Sequence, residues 1–362
     1  MTYRKNKSVI LGLSGGVDST AAALLLMEKG YDVTGLYFDV NTGTSSGEMT
    51  KGHKEAERAA MQLGIDLIYR DLTERFEEKV IAPFCSEYMR GRTPNPCIMC
   101  NPLVKFAALK EAADERDASY IATGHYAGTF FDSRKNIWHI KKGASEKKDQ
   151  SYMLYRLGQE IISRLILPLG EAAGKEEVRA AARERKMENS EAKDSQEICF
   201  IEEGKDYRDF LRERGMTFPP GDFTDTAGNV IGRHKGIQNY TIGQRKGLGV
   251  AAGKPVFAVS IDAEKNRVVL GERDELFSAR VISDSNIIEG REYGSTEESA
   301  AKSMRVKAKI RYAAPPAEAV IEDAGGGRIL ATFKEPQRAV TPGQSIVFYD
   351  GDIVIGGGII SG

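Results

Sequence analysis

The chain has 362 residues, 41% of them hydrophobic and 28% charged, and its formal net charge is -1. This length exceeds one ordinary compact core, so two or three domains are expected. The near-neutral charge excludes a protein that coats nucleic acid by bulk electrostatics, although locally gathered basic residues can still bind RNA. No apolar run is long enough to cross a bilayer and no signal-peptide pattern is present, which predicts a cytoplasmic protein without membrane contact.

Short apolar runs alternate with helical patterns through the first half of the chain, which predicts an α/β fold with a parallel sheet and helices on both faces. The predicted elements are, in order, strand Ser8–Leu13, a helix through Ala21–Leu26 to Lys29, strand Val33–Phe38, helix Glu55–Leu63, strand Leu67–Tyr69, helices Glu77–Arg90 and Val104–Arg116, strand Tyr120–Thr123, a hairpin at Phe130–Lys141 that turns at Ser133–Asn136, and helix Glu176–Lys186.

The character of the sequence changes after Gly204. A short helix at Asp206–Arg214 is followed by apolar strands and turn residues. The predicted hairpins pair Val256–Ile261 with Arg267–Leu270, Ala319–Ile321 with Ile329–Phe333, and Ser345–Tyr349 with Ile353–Ile355 across an Asp-Gly turn. The last third is therefore expected to be a small barrel or sandwich, with domains at 1–205, 206–284 and 285–362.

The segment Leu11–Thr20, with the sequence LGLSGGVDST, joins the first predicted strand to the first helix. Its glycines allow the backbone to bend closely around an oxyanion, and a helix N-terminus points free N–H groups at such an ion. Ser14, Ser19 and Thr20 offer hydroxyl donors, and Asp18 either orients Mg²⁺ or caps the helix. The Walker pattern GxxxxGK[ST] is absent, so this is a phosphate loop of a different kind.

The four cysteines are Cys85, Cys97, Cys100 and Cys199, and a reducing compartment makes structural disulfides among them unexpected. Cys97 and Cys100 lie three apart in a proline-rich loop between two helices, a spacing that suits a redox pair, a zinc half-site or an iron–sulfur half-site. Cys85 is expected to be buried and inert. Beside a phosphate loop, a thiolate or persulfide is a suitable nucleophile for an activated carbonyl.

Basic residues alternate with apolar ones late in the chain, at Arg305, Lys307, Lys309 and Arg311. A period of two places the cations on one strand face. Two interpretations are open: a solvated face of a barrel strand, or a row of contacts to RNA phosphates.

Several motifs together resemble one known family. SGGVDS resembles the PP-loop of the ATP pyrophosphatases, and with RTPNPxxxCN, ATGHYA, KDQSYML, CFI and YTIGQRKGLG, in this order, the chain resembles the tRNA-specific 2-thiouridylases over almost its whole length. The resemblance implies a PP-loop (adenine nucleotide alpha hydrolase-like) domain, a small central domain and a C-terminal β-barrel. It also implies ATP- and Mg²⁺-dependent thiolation of the wobble uridine of tRNA, through adenylation of the C2 oxygen.

The resemblance assigns roles residue by residue. It implies that Cys199 carries a persulfide and that Cys100 attacks it. The implied ATP contacts are Gly12, Leu13, Ser14, Gly15, Gly16, Val17, Asp18, Ser19, Phe38 and Gly124. The implied contacts to the target base are Asn95, Pro96 and Cys97, and those to the rest of the tRNA are His125, Lys148, Asp149, Gln150, Arg311, Tyr312 and Gln344. A cysteine desulfurase, a sulfur-relay protein or free sulfide is the expected sulfur source.

The sequence departs from the usual family pattern at a few positions. Cys97 stands where aspartate is usual, Pro102 where lysine is usual and Phe38 where methionine is usual, and the segment 40–52 lacks the usual aromatic–acidic run. Cys97, Cys100 and Cys199 could then hold a [4Fe–4S] cluster with one open iron. The persulfide and cluster routes both stay open.

Two other functions also fit part of the pattern. One is a PP-loop ligase or amidotransferase that acts on a small molecule and is indifferent to loss of the cysteines. The other is a non-catalytic tRNA-binding or sulfur-carrier protein with a degenerate loop, which would bind tRNA without consuming ATP.

Overall fold

The computed structural model describes residues 6–40, 49–185, 187–189, 198–250, 253–293 and 303–361. Residues 41–48, within the segment that departs from the family pattern, and residues 190–197, which precede Cys199, lie outside the described residues. In the described part of the chain, no helix combines the length and apolar composition needed to cross a bilayer.

The first domain is built on a five-stranded parallel sheet in the order β3-β2-β1-β4-β7. Its strands are β1 (Ser8–Gly12), β2 (Asp32–Asp39), β3 (Leu67–Asp71), β4 (Tyr120–Ala122) and β7 (Leu165–Ile166). Its helices are α1 (Val17–Glu28), α2 (Lys51–Leu63), α3 (Thr73–Phe76), α4 (Ala82–Met89), α5 (Pro96–Cys100), α6 (Phe106–Glu115), α7 (Gln159–Ile162) and α8 (Lys175–Glu184). The predicted α/β class is confirmed, as are the four strands that the sequence predicts along the chain, now β1, β2, β3 and β4.

Two π-helical turns interrupt the helices predicted at Glu77–Arg90 and Val104–Arg116. Glu77–Ile81 joins α3 to α4, and Asn101–Lys105 joins α5 to α6. Pro83 and Pro102 lie at or next to these turns, and a proline removes one donor from the regular i→i−4 hydrogen bonds. The expected proline-rich loop around Cys97 and Cys100 is therefore wrong in part, because residues 96–100 form a helical turn.

The central domain contains helix α9 (Tyr207–Glu213) and a four-stranded sheet in the order β10-β11-β8-β9. Its strands are β8 (Gly221–Thr224), β9 (Val230–His234), β10 (Phe257–Asp262) and β11 (Arg267–Gly271). Phe223, Tyr240 and Val268 lie at the centre of its small hydrophobic core. The predicted hairpin between β10 and β11 is confirmed by their antiparallel register.

The last domain is a closed barrel of six strands, because β12 pairs with β18 as well as with β16. The barrel order is β12 (Phe277–Ile288), β16 (Arg328–Arg338), β15 (Ala317–Gly325), β14 (Met304–Lys309), β17 (Ser345–Asp350) and β18 (Ile353–Ile360), with the short β13 (Arg291–Glu292) beside β12. The sequence left barrel and sandwich open, and the closing β12–β18 pair decides for the barrel.

A hairpin of the first domain extends the sheet of the barrel. Its strands are β5 (Ala127–Asp132) and β6 (Ile137–Lys142), and β6 meets β18 at Lys141 and Ile353. The hairpin turns at residues 133–136, as predicted. The first and last domains therefore share hydrogen-bonded structure, which fixes the barrel relative to the parallel sheet.

Candidate active site

The phosphate loop follows β1 and leads directly into α1. Gly16 is the N-cap of α1, and α1 has no side-chain capping hydrogen bond. The predicted alternative, in which Asp18 caps the helix, is therefore wrong. Gly15 has φ +78°, and a Cβ there would lie 2.5 Å from the carbonyl carbon of Glu55. Only glycine fits this position without strain, and the free N–H groups of the first helical turn remain available to an anion.

Hydroxyl groups brace the loop from within. The Ser19 hydroxyl donates to the carbonyl oxygen of Gly16 at 3.0 Å and accepts the N–H of Ser14 at 3.3 Å. The Gly16 N–H lies 3.4 Å from the Ser14 hydroxyl, and the Thr20 hydroxyl donates to the Gly16 carbonyl at 3.1 Å. Ser19 and Thr20 are buried whereas Ser14 is exposed, so Ser14 is the hydroxyl best placed to reach a bound phosphate.

The segment after β4 forms the second wall of the loop. A Cβ on Gly124 would lie 2.9 Å from the backbone of Asp18, and the Tyr126 hydroxyl donates to Asp18 Oδ1 at 2.8 Å. β1 and β4 are neighbours in the sheet. The chain continues from β1 towards β2 on one side and from β4 towards β7 on the other side, and α/β folds bind ligands where the strand order reverses in this way. Phe38, at the carboxyl end of β2, lies at this same edge of the sheet.

Residues from a later segment also contact the loop, and the sequence did not single them out. Lys175 Nζ lies 3.5 Å from Asp18 Oδ2, and the Asn189 amide donates to the Gly15 carbonyl at 2.6 Å and to the Thr20 hydroxyl at 2.8 Å. Burial lowers the pKa of Lys175, Asp18 opposes this shift, and the nearby charges of Lys148 and Arg179 add to it. Lys175, which pairs with Asp18 beside the phosphate loop, therefore lies in a group of three nearby cations.

The helical turn α5 presents the paired cysteines. The Asn95 side chain accepts the N–H of Cys97 at 3.2 Å and so caps the turn, with Pro96 in the first helical position. Asn101 is buried, and its amide donates to the carbonyl of Met153 at 2.9 Å. Cys97 is exposed and Cys100 is partly exposed, whereas Cys85 is 2% exposed, which confirms its predicted burial.

Cys97, Cys100 and Cys199 lie within electrostatic reach of one another. Desolvation raises the pKa of the Cys100 thiol to about 12, and negative charge on Cys199 or Cys97 would raise it further. Desolvation by surrounding atoms also raises the pKa of Cys199, although that residue is exposed by surface area. Within the described ranges, no group of three His, Cys, Asp or Glu side chains stands in an arrangement that holds a metal ion.

Lys105 is a further site residue that sequence reasoning missed. It ends the π turn that begins after Cys100, its backbone N–H donates to the Cys100 thiol, and its charge opposes the rise in pKa of both Cys100 and Cys199. A π turn closes residue i+5 onto residue i, which carries Lys105 round towards the cysteine. The signal in the sequence was Pro102, which disturbs a regular helix at this point.

His125 lies between the phosphate loop and the thiols. Burial lowers the pKa of His125 to about 3, and the charge of Lys105 contributes to this shift. The ring Nδ1 is 2.7 Å from the Thr123 hydroxyl, and the ring stacks on Phe106 with 5.9 Å between centroids. His125 is thus a neutral imidazole that follows Gly124 of the loop wall and lies near Lys105 of the thiol segment.

The remaining predicted tRNA contacts have partners inside the protein. Asp149 is buried and accepts the N–H groups of Gly143 and Ser151 at 3.1 Å each, and Gln150 Oε1 accepts the Tyr126 N–H at 2.9 Å. The Lys148 side chain lies near Lys175.

The three predicted contacts in the last domain are likewise engaged. Arg311 donates to the carbonyls of Arg338 and Ala339 at 3.2 and 3.3 Å, and Gln344 donates to the Thr93 carbonyl at 2.7 Å. Tyr312 packs edge-on against Tyr152.

The predicted alternation is confirmed from Arg305 to Lys309, but β14 ends at Lys309, so the prediction that Arg311 lies on the same strand face is wrong. Val306 and Ala308 are buried, and Arg305 and Lys307 are exposed. Lys309 departs from this surface row, because its ammonium lies over the rings of Tyr152 and Tyr312 at 5.8 and 5.6 Å and burial lowers its pKa. The exposed basic pair is therefore Arg305 and Lys307.

Family models match all three parts of the chain. Residues 7–203 match a tRNA methyl transferase HUP domain, residues 208–272 a tRNA methyl transferase PRC-barrel domain, and residues 285–360 an aminomethyltransferase beta-barrel domain. The crystal structure of a predicted subunit of tRNA methyltransferase from Methanocaldococcus jannaschii is 24% identical with a TM-score of 0.31, over 49% of this chain and 75% of that one. That likeness is too low to carry an argument.

Curated relatives resemble the chain from end to end. The tRNA-specific 2-thiouridylase MnmA of Acetivibrio thermocellus is 45% identical, over 98% of this chain and 99% of its own length. The tRNA-specific 2-thiouridylase MnmA 2 of Caldanaerobacter subterraneus subsp. tengcongensis is 45% identical, over 99% of this chain and 98% of its own. The phosphate loop, the thiols and these full-length matches agree, and the chain belongs to the tRNA-specific 2-thiouridylase family.

Proposed function

We propose that this chain uses ATP to replace the C2 oxygen of the wobble uridine of tRNA with sulfur. The observation that carries the proposal is the continuity of the site. Gly124 packs on Asp18 of the phosphate loop, His125 follows it, and Lys105 lies near both His125 and the thiols of Cys100 and Cys199. A group activated at the loop would thus have sulfur nucleophiles nearby.

The first half of the reaction is activation of the base. An enzyme must unstack a base from RNA to act on it, and the capped turn Asn95–Cys97 is the proposed contact for the flipped uridine. The C2 oxygen attacks the α-phosphorus of ATP and pyrophosphate leaves. The amides at the start of α1 and the nearby Lys175 stabilise the negative charge of the leaving group.

The second half delivers sulfur through a persulfide on Cys199. The Cys100 thiolate attacks the Cys199 sulfur that is bonded to carbon, the persulfide S–S bond breaks, and hydrosulfide leaves as a Cys100–Cys199 disulfide forms. Hydrosulfide adds at C2 and AMP departs with the bonding electron pair. External thiols then reduce the disulfide, and a cysteine desulfurase or a sulfur-relay protein that itself carries persulfide sulfur transfers that sulfur to Cys199 and restores the persulfide.

Mg²⁺ and the [4Fe–4S] cluster fit the described residues less well. Asp18 uses one oxygen for Tyr126 and the other for Lys175, and the three thiols do not form a metal-holding group within the described ranges. We therefore derive no step through either group. Iron and sulfide analysis after anaerobic purification tests the cluster route, and an active, iron-free protein would rule that route out.

Mass spectrometry of tRNA after incubation with ATP and a sulfur donor tests the proposed function. We expect 2-thiouridine with the wild type and with Cys85→Ala, and none with Cys199→Ser, while ATP consumption that depends on tRNA persists in Cys199→Ser. A small-molecule ligase would instead exchange pyrophosphate without RNA, and a carrier would bind tRNA without consuming ATP. Normal thiolation by Cys199→Ser would contradict the persulfide route.

The exposed pair Arg305 and Lys307 is proposed to contact tRNA phosphates. Each lost phosphate contact reduces the slope of log affinity against log salt, so Arg305→Ala with Lys307→Ala should flatten that slope by about 1.5. Lys265→Ala, in the turn between β10 and β11, is the control. An unchanged slope in the double variant would show that this strand face is merely solvated.

A further inference from the structure

Thr93 is held by the barrel through two hydrogen bonds. Its N–H donates to the carbonyl of Pro342 at 2.9 Å, and its carbonyl accepts the side-chain amide of Gln344 at 2.7 Å. Gln344 and Thr93 lie 251 residues apart in the chain. We call this set of contacts the Thr93 clamp.

The clamp is closely packed on the side of the barrel. Gly343 has φ +90°, and a Cβ there would lie 2.9 Å from the Thr93 nitrogen and 3.0 Å from its carbonyl carbon. Glycine is required both for the backbone conformation and for this approach. The two backbones therefore touch with no side chain between them, and Thr93 has little freedom to move towards the barrel.

The residues before Thr93 are held as well. The Arg92 guanidinium donates to the carbonyl of Ile360 in the barrel at 3.1 Å and pairs with Glu87 at 2.7 Å. A Cβ on Gly91 would lie 2.6 Å from the side chain of Ile261 in the central domain, and the Thr93 hydroxyl reaches that of Thr241 at 3.5 Å. All three domains thus meet at this segment.

The clamp lies two residues from the thiol turn. Pro94 and Pro96 fix their own φ angles, and Pro96 restricts the backbone of Asn95. Asn95 caps α5 through the N–H of Cys97. A displacement at Thr93 would therefore pass along a stiff segment to Cys97 and Cys100 rather than be absorbed in a flexible loop.

We propose that Gln344 is a positioning residue, through which the barrel holds Thr93 and so sets the placement of Asn95, Cys97 and Cys100. This role differs from the tRNA contact that the family resemblance implied for Gln344, because it acts through the hydrogen bond that the Gln344 amide donates to Thr93. The inference rests on the proposed function for its catalytic readout only. Its consequence is that the barrel acts on the thiol turn as well as supplying a surface for RNA.

The test is the neutral variant Gln344→Met, with Gln337→Met as the matched control on the same domain. The Gln337 amide donates to the carbonyl of Glu335 within its own strand, β16, at 2.8 Å. Loss of one hydrogen bond of this kind changes an equilibrium constant or a rate constant by about tenfold. We expect Gln344→Met to lower the single-turnover thiolation rate at saturating tRNA about tenfold, with the tRNA Kd within about twofold of wild type.

A second measurement works without tRNA or ATP. Site-resolved alkylation of Cys100 in the free protein should become several-fold faster in Gln344→Met, and in Gly343→Ala, because a released turn exposes the thiol. Cys85 in the same samples reports any general unfolding and should be unchanged. This readout remains valid if the wild type fails to thiolate tRNA, so failure of the proposed function and failure of the clamp are distinguishable.

Three results would overturn the inference. A weaker tRNA Kd with an unchanged rate at saturation would make Gln344 an RNA contact. Unchanged thiolation and unchanged Cys100 alkylation would show that the clamp does not set the thiol turn. Equal acceleration at Cys85 and Cys100 would reduce the effect to global destabilisation.

Discussion

The phosphate loop and the thiol site reach their geometry by different means. Four hydrogen bonds within the loop join Ser14, Gly16, Ser19 and Thr20, which lie within seven positions of one another, and Asn189 adds two bonds from a distant segment. The thiol turn depends on a barrel residue 251 positions away, and Cys199 comes from yet another segment. Local hydrogen bonds therefore contribute much of the shape of the phosphate loop, whereas the thiol site depends on contacts between distant segments.

The two sites also differ in how nearby charges and burial favour or disfavour a charged group. A helix N-terminus and three nearby cations make the loop ready for an anion before any ligand arrives. The thiol site instead disfavours the charged form of Cys100. Desolvation raises its pKa more than the charge of Lys105 lowers it, so the thiol stays protonated at neutral pH. In the proposed reaction, base activation would therefore take place at a preorganised site, whereas sulfur release would await a change around Cys100.

The largest expected effect lies in the reactivity of Cys100. Its pKa of about 12, against an ordinary value of 9.0, leaves about 1000-fold less thiolate at pH 8, so alkylation by iodoacetamide should be slower by a similar factor. Because the thiolate is the reactive form, the rate should rise about tenfold per pH unit from pH 7 to 9. Peptide-resolved mass spectrometry measures it, and a plateau below pH 9 would remove the contrast between the sites.

The next largest effect concerns the backbone of the loop. Gly15→Ala forces a Cβ against Glu55 at positive φ, and displacement of a binding loop by about 1 Å costs on the order of 100-fold in turnover of ATP. Gly64→Ala is the matched control, since Gly64 has φ +67° but no atom within 4 Å of its Cβ position. ATP-dependent pyrophosphate release measures both variants, and equal losses would mean that strain rather than fit explains the effect.

The contrast explains what the sequence could predict. Strand–loop–helix order and alternating burial on β14 follow from neighbours a few positions apart, and both are confirmed. The fold class and the family membership were also predicted correctly. The burial of Cys85 followed from its place in a helical pattern.

The remaining features depend on contacts that sequence spacing does not encode. The one-turn helix α5 needs the Asn95 cap and the fixed position of Thr93, so its prolines alone indicated a loop. The π turn that brings Lys105 to Cys100 results from a proline inside a helix, which ordinarily predicts a break. Lys175 and Asn189 reach the loop only because α8 packs against α1. Such residues become visible only after the chain is folded.

The smallest expected effect tests whether the loop is as self-sufficient as its local hydrogen bonds imply. Lys175→Met removes a cation next to Asp18, and one charge–phosphate interaction in a partly buried site contributes about 1 kcal/mol, so the KM for ATP should rise about fivefold. Lys175→Arg should keep most of the affinity, and Lys51→Met, on an exposed helix surface, should have no effect. Pyrophosphate release at varied ATP measures all three. An unchanged KM in Lys175→Met would mean that the backbone amides and local hydroxyls suffice for ATP, and that the distant segment only neutralises Asp18.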